Sequence, residues 1–254
     1  MLSCNQTKKI SVLDKVNPKD TSCIRELDKA QKDIEKGILV FCDYNTENIG
    51  GGLRCSNEMD SLLQKYNIIS RVETSPDVGV SPSLNYHCYC DLMNEQIIEK
   101  YGTKFIDSLI YLADSLYVLK HLDVVYENRG WSTNWDKPAV YPGDKYYDDM
   151  NHSGLQDAFD KVVKYPSDYV YKKGKYSSEQ LIVLVYIDEK GKAQIKNIIC
   201  NFFDYATKER DYNKKYNTYF ESLIRPLIED TTWRPAKIKN ISVKSTNNIY
   251  IKLK

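Results

Sequence analysis

The sequence predicts an α+β protein of two domains, a small α/β domain over 23–150 and a second domain over 151–254, with a flexible tether over 1–22. Three observations carry this reading. The formal charge changes sign along the chain: residues 1–150 hold 17 Lys and Arg against 23 Asp and Glu, and residues 151–254 hold 19 against 12. Helical periods alternate with short apolar runs in the first part, and a strand–turn–strand pattern opens the second. Between them, residues 127–150 show no period and collect Trp131, Trp135, Pro138, Pro142 and many tyrosines and aspartates. Such a stretch is expected to be a linker that packs its aromatics on the neighbouring domain; a sugar- or peptide-binding loop is the other reading.

Composition sets the bounds. With 254 residues, 42% hydrophobic and 28% charged, the chain can bury a sizeable core and is neither disordered nor a membrane bundle. Its longest apolar stretch, Leu181–Ile187, is far short of the ~20 residues of a bilayer span. A net charge of +1 is not the clustered basic excess of a nucleic-acid binder.

The first part reads element by element. Residues 24–36 place Ile24, Leu27, Ala30 or Gln31, and Ile34 on one face of a short amphipathic helix, which Gly37 ends. Ile38–Cys42 is a buried strand. Asn48–Gly52 is a loop with three consecutive glycines. It has neither the Lys-Ser/Thr ending of a phosphate loop nor the spacing of a dinucleotide fingerprint, so a turn is expected. A helix over Asn57–Tyr66 presents Met59, Leu62, Leu63 and Tyr66, and Ile68–Val72 is a second strand. Thr74–Ser83, with Pro76 and Pro82, is a loop. The longest helical signal, about Leu84–Leu119, is divided or kinked at Gly102. In its second half Phe105, Leu109, Leu112, Leu116 and Leu119 form a stripe, widened by Ile106, Ile110 and Tyr117, as in a helix packed on a sheet.

Cysteines stand at 4, 23, 42, 55, 88, 90 and 200. With Cys4 set aside, six remain, for which burial or disulfide bonding is expected with the pairing open. His87-Cys88-Tyr89-Cys90 gathers three candidate ligands, but Cys-x-Cys is not the spacing of a structural zinc site. On a strand the two cysteines share a face; on a helix they diverge by about 200°. No metal and no cofactor are expected. A thiol nucleophile needs a positioned base, and the sequence places neither His121 nor His152 beside a cysteine.

In the second part, Leu155, Ala158, Phe159, Val162 and Val163 mark a helix face that stops before Lys164-Tyr165-Pro166. Leu181–Ile187 is an apolar strand with burial expected on both faces. Asp188–Gly191 is a hairpin turn, and Ala193–Cys200 returns as a strand. A helix over Tyr216–Glu229 carries Tyr219, Phe220, Leu223, Ile224, Leu227 and Ile228, with Pro226 expected to kink or divide it. Thr232-Trp233-Arg234-Pro235-Ala236 leads to a last strand, Asn248–Leu253, on which Ile249, Ile251 and Leu253 share the face toward that helix.

The order Tyr-Pro, strand, Asp-x-x-Gly hairpin, strand, helix, Trp-x-Pro-Ala, closing strand resembles the TonB C-terminal domain family. The matching text is Lys164-Tyr165-Pro166, Ile182–Gly191, Lys192–Ile199 and Trp233–Lys237, across about 100 residues of the chain. The chain departs from the family at Ser177–Gln180, where a glycine is usual, at Asn240–Val243, where a small Gly-rich stretch is usual, and at Pro226. The resemblance implies an antiparallel sheet with helices packed on one face, and an edge strand offered to an extended peptide. The implied partner-binding residues are Tyr165, Pro166, Asn248, Tyr250 and Lys252, with Trp233 and Pro235 structural. Separately, Met1-Leu2-Ser3-Cys4 looks like the tail of a bacterial lipobox, which implies a lipid on Cys4.

These readings give an expected function: a non-enzymatic periplasmic module, lipid-anchored to the outer membrane, that binds a protein or peptide of the cell envelope by strand addition. Nucleic acid is not an expected partner. The alternative is an enzyme with chemistry in 23–150, for which a pocket gathering His87, Cys88 or Asp91 would speak. A structural lipoprotein without a peptide partner is a third reading. The basic residues Lys172, Lys173, Lys175, Lys237, Lys239 and Lys244 form a solvated face or steer an acidic partner.

Overall fold

The computed structural model describes residues 11–45, 52–74, 87–129, 132–133, 135–144, 152–172, 177–205 and 207–253. Cys4, Gly50, Gly51, Trp131, Lys173 and Lys175 lie outside them. The chain is a mixed α+β protein with two sheets and two compact units, Met1–Tyr117 and Val118–Lys254. The division falls within a helix at 117/118, not near 150. The stretch after 118 belongs with the second unit because part of it pairs into that unit's sheet.

In the first unit, a short 3-10 helix over Val12–Lys15 is capped by Ser11, whose hydroxyl also donates to Glu95 at 2.8 Å. Val12 and Val16 pack on the core, so residues 11–20 are seated and not a free tether. Asp20 caps helix α1 (Thr21–Glu35) by accepting from the Cys23 N–H at 3.0 Å. Gly37, at φ +78°, closes the helix. Then come β1 (Leu39–Asn45), α2 (Ser56–Gln64) and β2 (Ile68–Thr74), the two strands pairing in parallel with Leu39 opposite Ile68. Helices α3 (Cys88–Tyr101) and α4 (Phe105–Lys120) follow, separated at Gly102.

Strand alternation divides the core. Val40 and Cys42 of β1 face a cluster with Cys23, Leu27, Leu92 and Met93, whereas Leu39 and Phe41 face Met59, Leu63, Ile97, Leu109 and Ala113. The packed stripe of α4 differs from the expected one. Leu109 and Ala113 are buried, with Phe105, Ile106, Ile110 and Tyr117 beside them, while Leu112 and Leu119 are exposed.

Two disulfides pin this unit, Cys23–Cys88 and Cys42–Cys90. Both α3 cysteines lie in its first turn, so they point in divergent directions. One reaches α1 and the other β1.

The second unit is a six-stranded sheet of order β4-β3-β8-β5-β6, with β7 also pairing β8. Its strands are β3 (Val125–Arg129), β4 (Ser132–Thr133), β5 (Ser177–Ile187), β6 (Ala193–Asp204), β7 (Ala236–Ile238) and β8 (Ile241–Lys252). Helices α5 (Ser153–Val162) and α6 (Asn217–Glu229) complete it. Leu181, Val183, Val185 and Ile187 are fully buried, as are Phe159, Phe220, Ile224, Ile228, Ile249 and Ile251. Phe220 of α6 meets Phe202 of β6 and Phe159 of α5.

Three expectations change here. Strand β5 is central, but its second face, Ile182, Leu184 and Tyr186, is only half-buried. The buried stripe of α6 is Phe220, Ile224 and Ile228, with Leu223 and Leu227 half-buried. Pro226 does not divide α6: the helix runs through it to Glu229, one main-chain donor short.

Two outcomes test this architecture. Peptide mapping of unreduced protein should recover Cys23 with Cys88 and Cys42 with Cys90, and Cys42→Ser should lower the unfolding free energy by about 2–4 kcal/mol. A fragment of residues 118–254 should resist urea better than one of residues 151–254 by about 3 kcal/mol, since the shorter one lacks β3, β4 and the buried Trp135 and Tyr141. Equal midpoints would contradict the assignment of 118–150.

Candidate functional site

The expected edge strand is the second half of a longer one. Lys239 and Asn240, both at positive φ, make a two-residue turn that joins β7 to β8. Strand β8 therefore starts at Ile241, not Asn248. It pairs with β7 over Ile241–Val243 and with β5 over Ser245–Lys252.

Hydrogen-bond geometry fixes which main-chain groups of β8 look outward. The Leu253 N–H donates to the Glu179 carbonyl, its directly opposite residue, at 2.9 Å. Antiparallel pairs alternate, so Ile251, Ile249, Asn247 and Ser245 also turn their N–H and C=O toward β5. Lys244, Thr246, Asn248, Tyr250 and Lys252 turn theirs the other way. On that outer side, β3 runs parallel to β8 and pairs only over Lys244–Thr246. At the far end the Gln156 side chain of α5 clamps Lys252, accepting from its N–H at 2.8 Å and donating to its carbonyl at 3.1 Å. Between these, no strand among the described residues pairs the outer side of Asn248 and Tyr250. The side chains of Asn248, Tyr250 and Lys252 are exposed.

Tyr165 packs among aromatic rings, and the Pro166 carbonyl accepts from the Tyr169 N–H at 3.0 Å. The Tyr165 ring lies 4.9 Å from Tyr169, 5.8 Å from Tyr171 and 6.0 Å from Phe220. That aromatic cluster surrounds Glu179, whose carboxylate accepts from the hydroxyls of Tyr169 at 2.6 Å and Tyr212 at 2.8 Å. Burial and the acceptor carboxylate push both phenols upward. Lys172 pairs with Glu209 and Lys239 with Asp136, so part of the basic excess is neutralised within the unit.

Cys88 is bonded to Cys23 and buried, with His87 at the helix start. A cavity of about 430 Å³ is lined by Asp60, Gln64, Asn67, Ile68, Ile69 and Ser70, and includes none of His87, Cys88 or Asp91. Cys42, Cys90 and Glu73 bring donor atoms within 4.8 Å of one another, but the two sulfurs are joined to each other. Burial holds the Cys200 thiol up at about 11, with Glu221 adding to the effect.

Two features had no legible signal in the sequence. His152, buried and left-handed at φ 45°, meets Asp144 Oδ2 at 2.9 Å through Nδ1. The same carboxylate accepts from the main chain of Tyr141 and Gly154. Tyr141 and His152 both pack edge-on against Trp233, at 5.1 and 5.5 Å. Trp233 Nε1 donates to the Ile228 carbonyl at 3.1 Å, and its N–H donates to the Gly191 carbonyl at 2.8 Å. The second feature is the Gln156 clamp itself.

No known protein family, curated protein or solved structure matches the chain.

Gly191→Ala tests the Trp233 anchor. A Cβ there would lie 1.9 Å from the Trp233 carbonyl oxygen at φ +87°. The substitution should cost more than about 2 kcal/mol in a urea titration, and an unchanged midpoint would contradict it.

Proposed function

We propose that the chain is a non-catalytic binding module of the bacterial cell envelope, periplasmic and held by a lipid on Cys4, that takes an extended protein segment as an added strand. The acceptor is the outer side of β8 at Asn248 and Tyr250. One observation carries the reading: an outward N–H and C=O at each of these residues, without a strand partner among the described residues, sit between a stretch already paired in this way by β3 and one clamped by Gln156. Strand addition draws affinity from such main-chain groups and selectivity from alternate side chains. The order of elements over 152–253, which resembles the TonB C-terminal domain family, supports the same mode.

Removing residues 245–254 would take out the strand between β3 and β5, so point changes are the informative test. A photoactivatable residue at Asn248 should capture an extended segment from an outer-membrane protein fraction. Tyr250→Pro removes an outward donor and should reduce capture at least about tenfold while the protein stays folded. Lys252→Ala should change it less than about twofold, since an exposed charge contributes little. Ile249→Pro serves as the contrast, because that N–H is bonded to β5 and its loss should unfold the unit. Undiminished capture by folded Tyr250→Pro protein would place the contact elsewhere.

A further inference from the structure

The open stretch is short for a specific contact. Asn248–Tyr250 offers two outward residues, and at about 3.4 Å per residue this covers roughly 10 Å of strand. The acceptor line would double if it included Lys244 and Thr246, which β3 now occupies.

Several observations mark β3 as lightly held. It joins β8 only over Val125–Glu127, in the parallel arrangement that is slightly weaker per residue. Its other neighbour, β4, is two residues long. Val124 and Val125 are exposed. By contrast, β5 pairs β8 along Gln180–Ile187.

A second, independent feature lies beside it. Ser245 and Asn247 alternate onto the buried face of β8, where Ser245 is 0% and Asn247 8% exposed. Among the described residues, Ser245 Oγ and Asn247 Nδ2 have no hydrogen-bond partner. Buried polar atoms left so cost about 1–3 kcal/mol each. The β3 residue opposite Ser245 is Tyr126, whose side chain is buried. An amide N–H₂ and a hydroxyl at that place call for an acceptor on the neighbouring strand.

We infer that β3 is a resident strand in the partner's slot. The partner segment runs parallel to β8, displaces Val125–Glu127, and points a carboxamide or carboxylate side chain at Ser245 and Asn247. This rests on the strand-acceptor reading above and adds the direction, the register and the chemistry of one partner residue. Displacement extends the acceptor to Lys244, Thr246, Asn248 and Tyr250. The buried acceptor offsets the loss of the Tyr126 contacts.

The test uses the full chain and fluorescent peptides with the sequence of residues 123–129, carrying either Gln or Leu in place of Tyr126. In one variant, Tyr126→Gly loosens the resident strand. In a second, Val125→Cys with Lys244→Cys, which lie directly opposite, cross-links it to β8. The Gln peptide should bind the loosened chain at least about tenfold tighter than the cross-linked chain. It should also exceed the Leu peptide by about tenfold, the scale of one buried hydrogen bond. Ser245→Ala with Asn247→Leu should erase that preference and leave Leu-peptide binding intact. Should Tyr126→Gly fail to fold, the same comparison between native and cross-linked chains decides.

Equal binding of the Gln and Leu peptides, or binding unaffected by the cross-link, would overturn the inference. Neither result touches strand addition at Asn248 and Tyr250, which the Tyr250→Pro measurement judges separately. Absence of binding by either peptide to every folded form would also overturn it.

Discussion

The second unit depends on the main-chain hydrogen bonding of β8. One face of its backbone is spent on β7 and then β5, and the other on β3 and the Gln156 clamp. Buried backbone groups must be paired somewhere, and strand alternation decides where. Because the Leu253 N–H is bonded to Glu179, the even-numbered residues from Lys244 to Lys252 face outward. The same parity puts Ile249 and Ile251 in the core and Asn248 and Tyr250 in solvent. A register slip by one residue would exchange both sets at once. The candidate site and the core are therefore fixed by a single choice of register.

The first unit is secured differently. Its parallel sheet has two strands, too few to be stable without covering elements. Cysteines two residues apart at the start of α3 tie that helix to α1 on one side and to β1 on the other. A bridge over a loop of this length restricts the unfolded chain by several kcal/mol in the entropic account. The same bonding takes Cys42, Cys88 and Cys90 out of consideration as thiol nucleophiles. Thiol chemistry is further limited by burial, which raises both Cys55 and Cys200.

Much of the fold was legible because it rests on local signals. Apolar period and glycine stops located α1, α2, the α3–α4 break, β5, the Asp188–Gly191 turn and α6. Alternation in Ile249, Ile251 and Leu253 gave the buried face of β8. What was not legible depends on long-range pairing. Nothing local in Val125–Glu127 says that it joins a strand more than a hundred residues later, so 127–150 read as a linker and the division was set near 150. Lys239 and Asn240 carry no glycine, yet both adopt positive φ, which hid the turn and the true start of β8. The Gln156 clamp and the His152–Asp144 contact are partnerships between side chain and distant backbone, or between loops, and leave no periodic trace. Disulfide pairing likewise has no local trace, because it depends on α3 beginning at Cys88 and on which elements pack beside that turn.

The central claim is that the outer side of β8 at Asn248 and Tyr250 is an available strand acceptor. Residue-resolved amide hydrogen exchange of the isolated protein addresses it without a partner in hand. Asn248 and Tyr250 should exchange at least about a hundredfold faster than Ile249 and Ile251, whose N–H groups are bonded to β5, while Lys252 is slowed by Gln156. Protection of Asn248 and Tyr250 equal to that of Ile249 and Ile251 would show the edge already covered and would contradict the account.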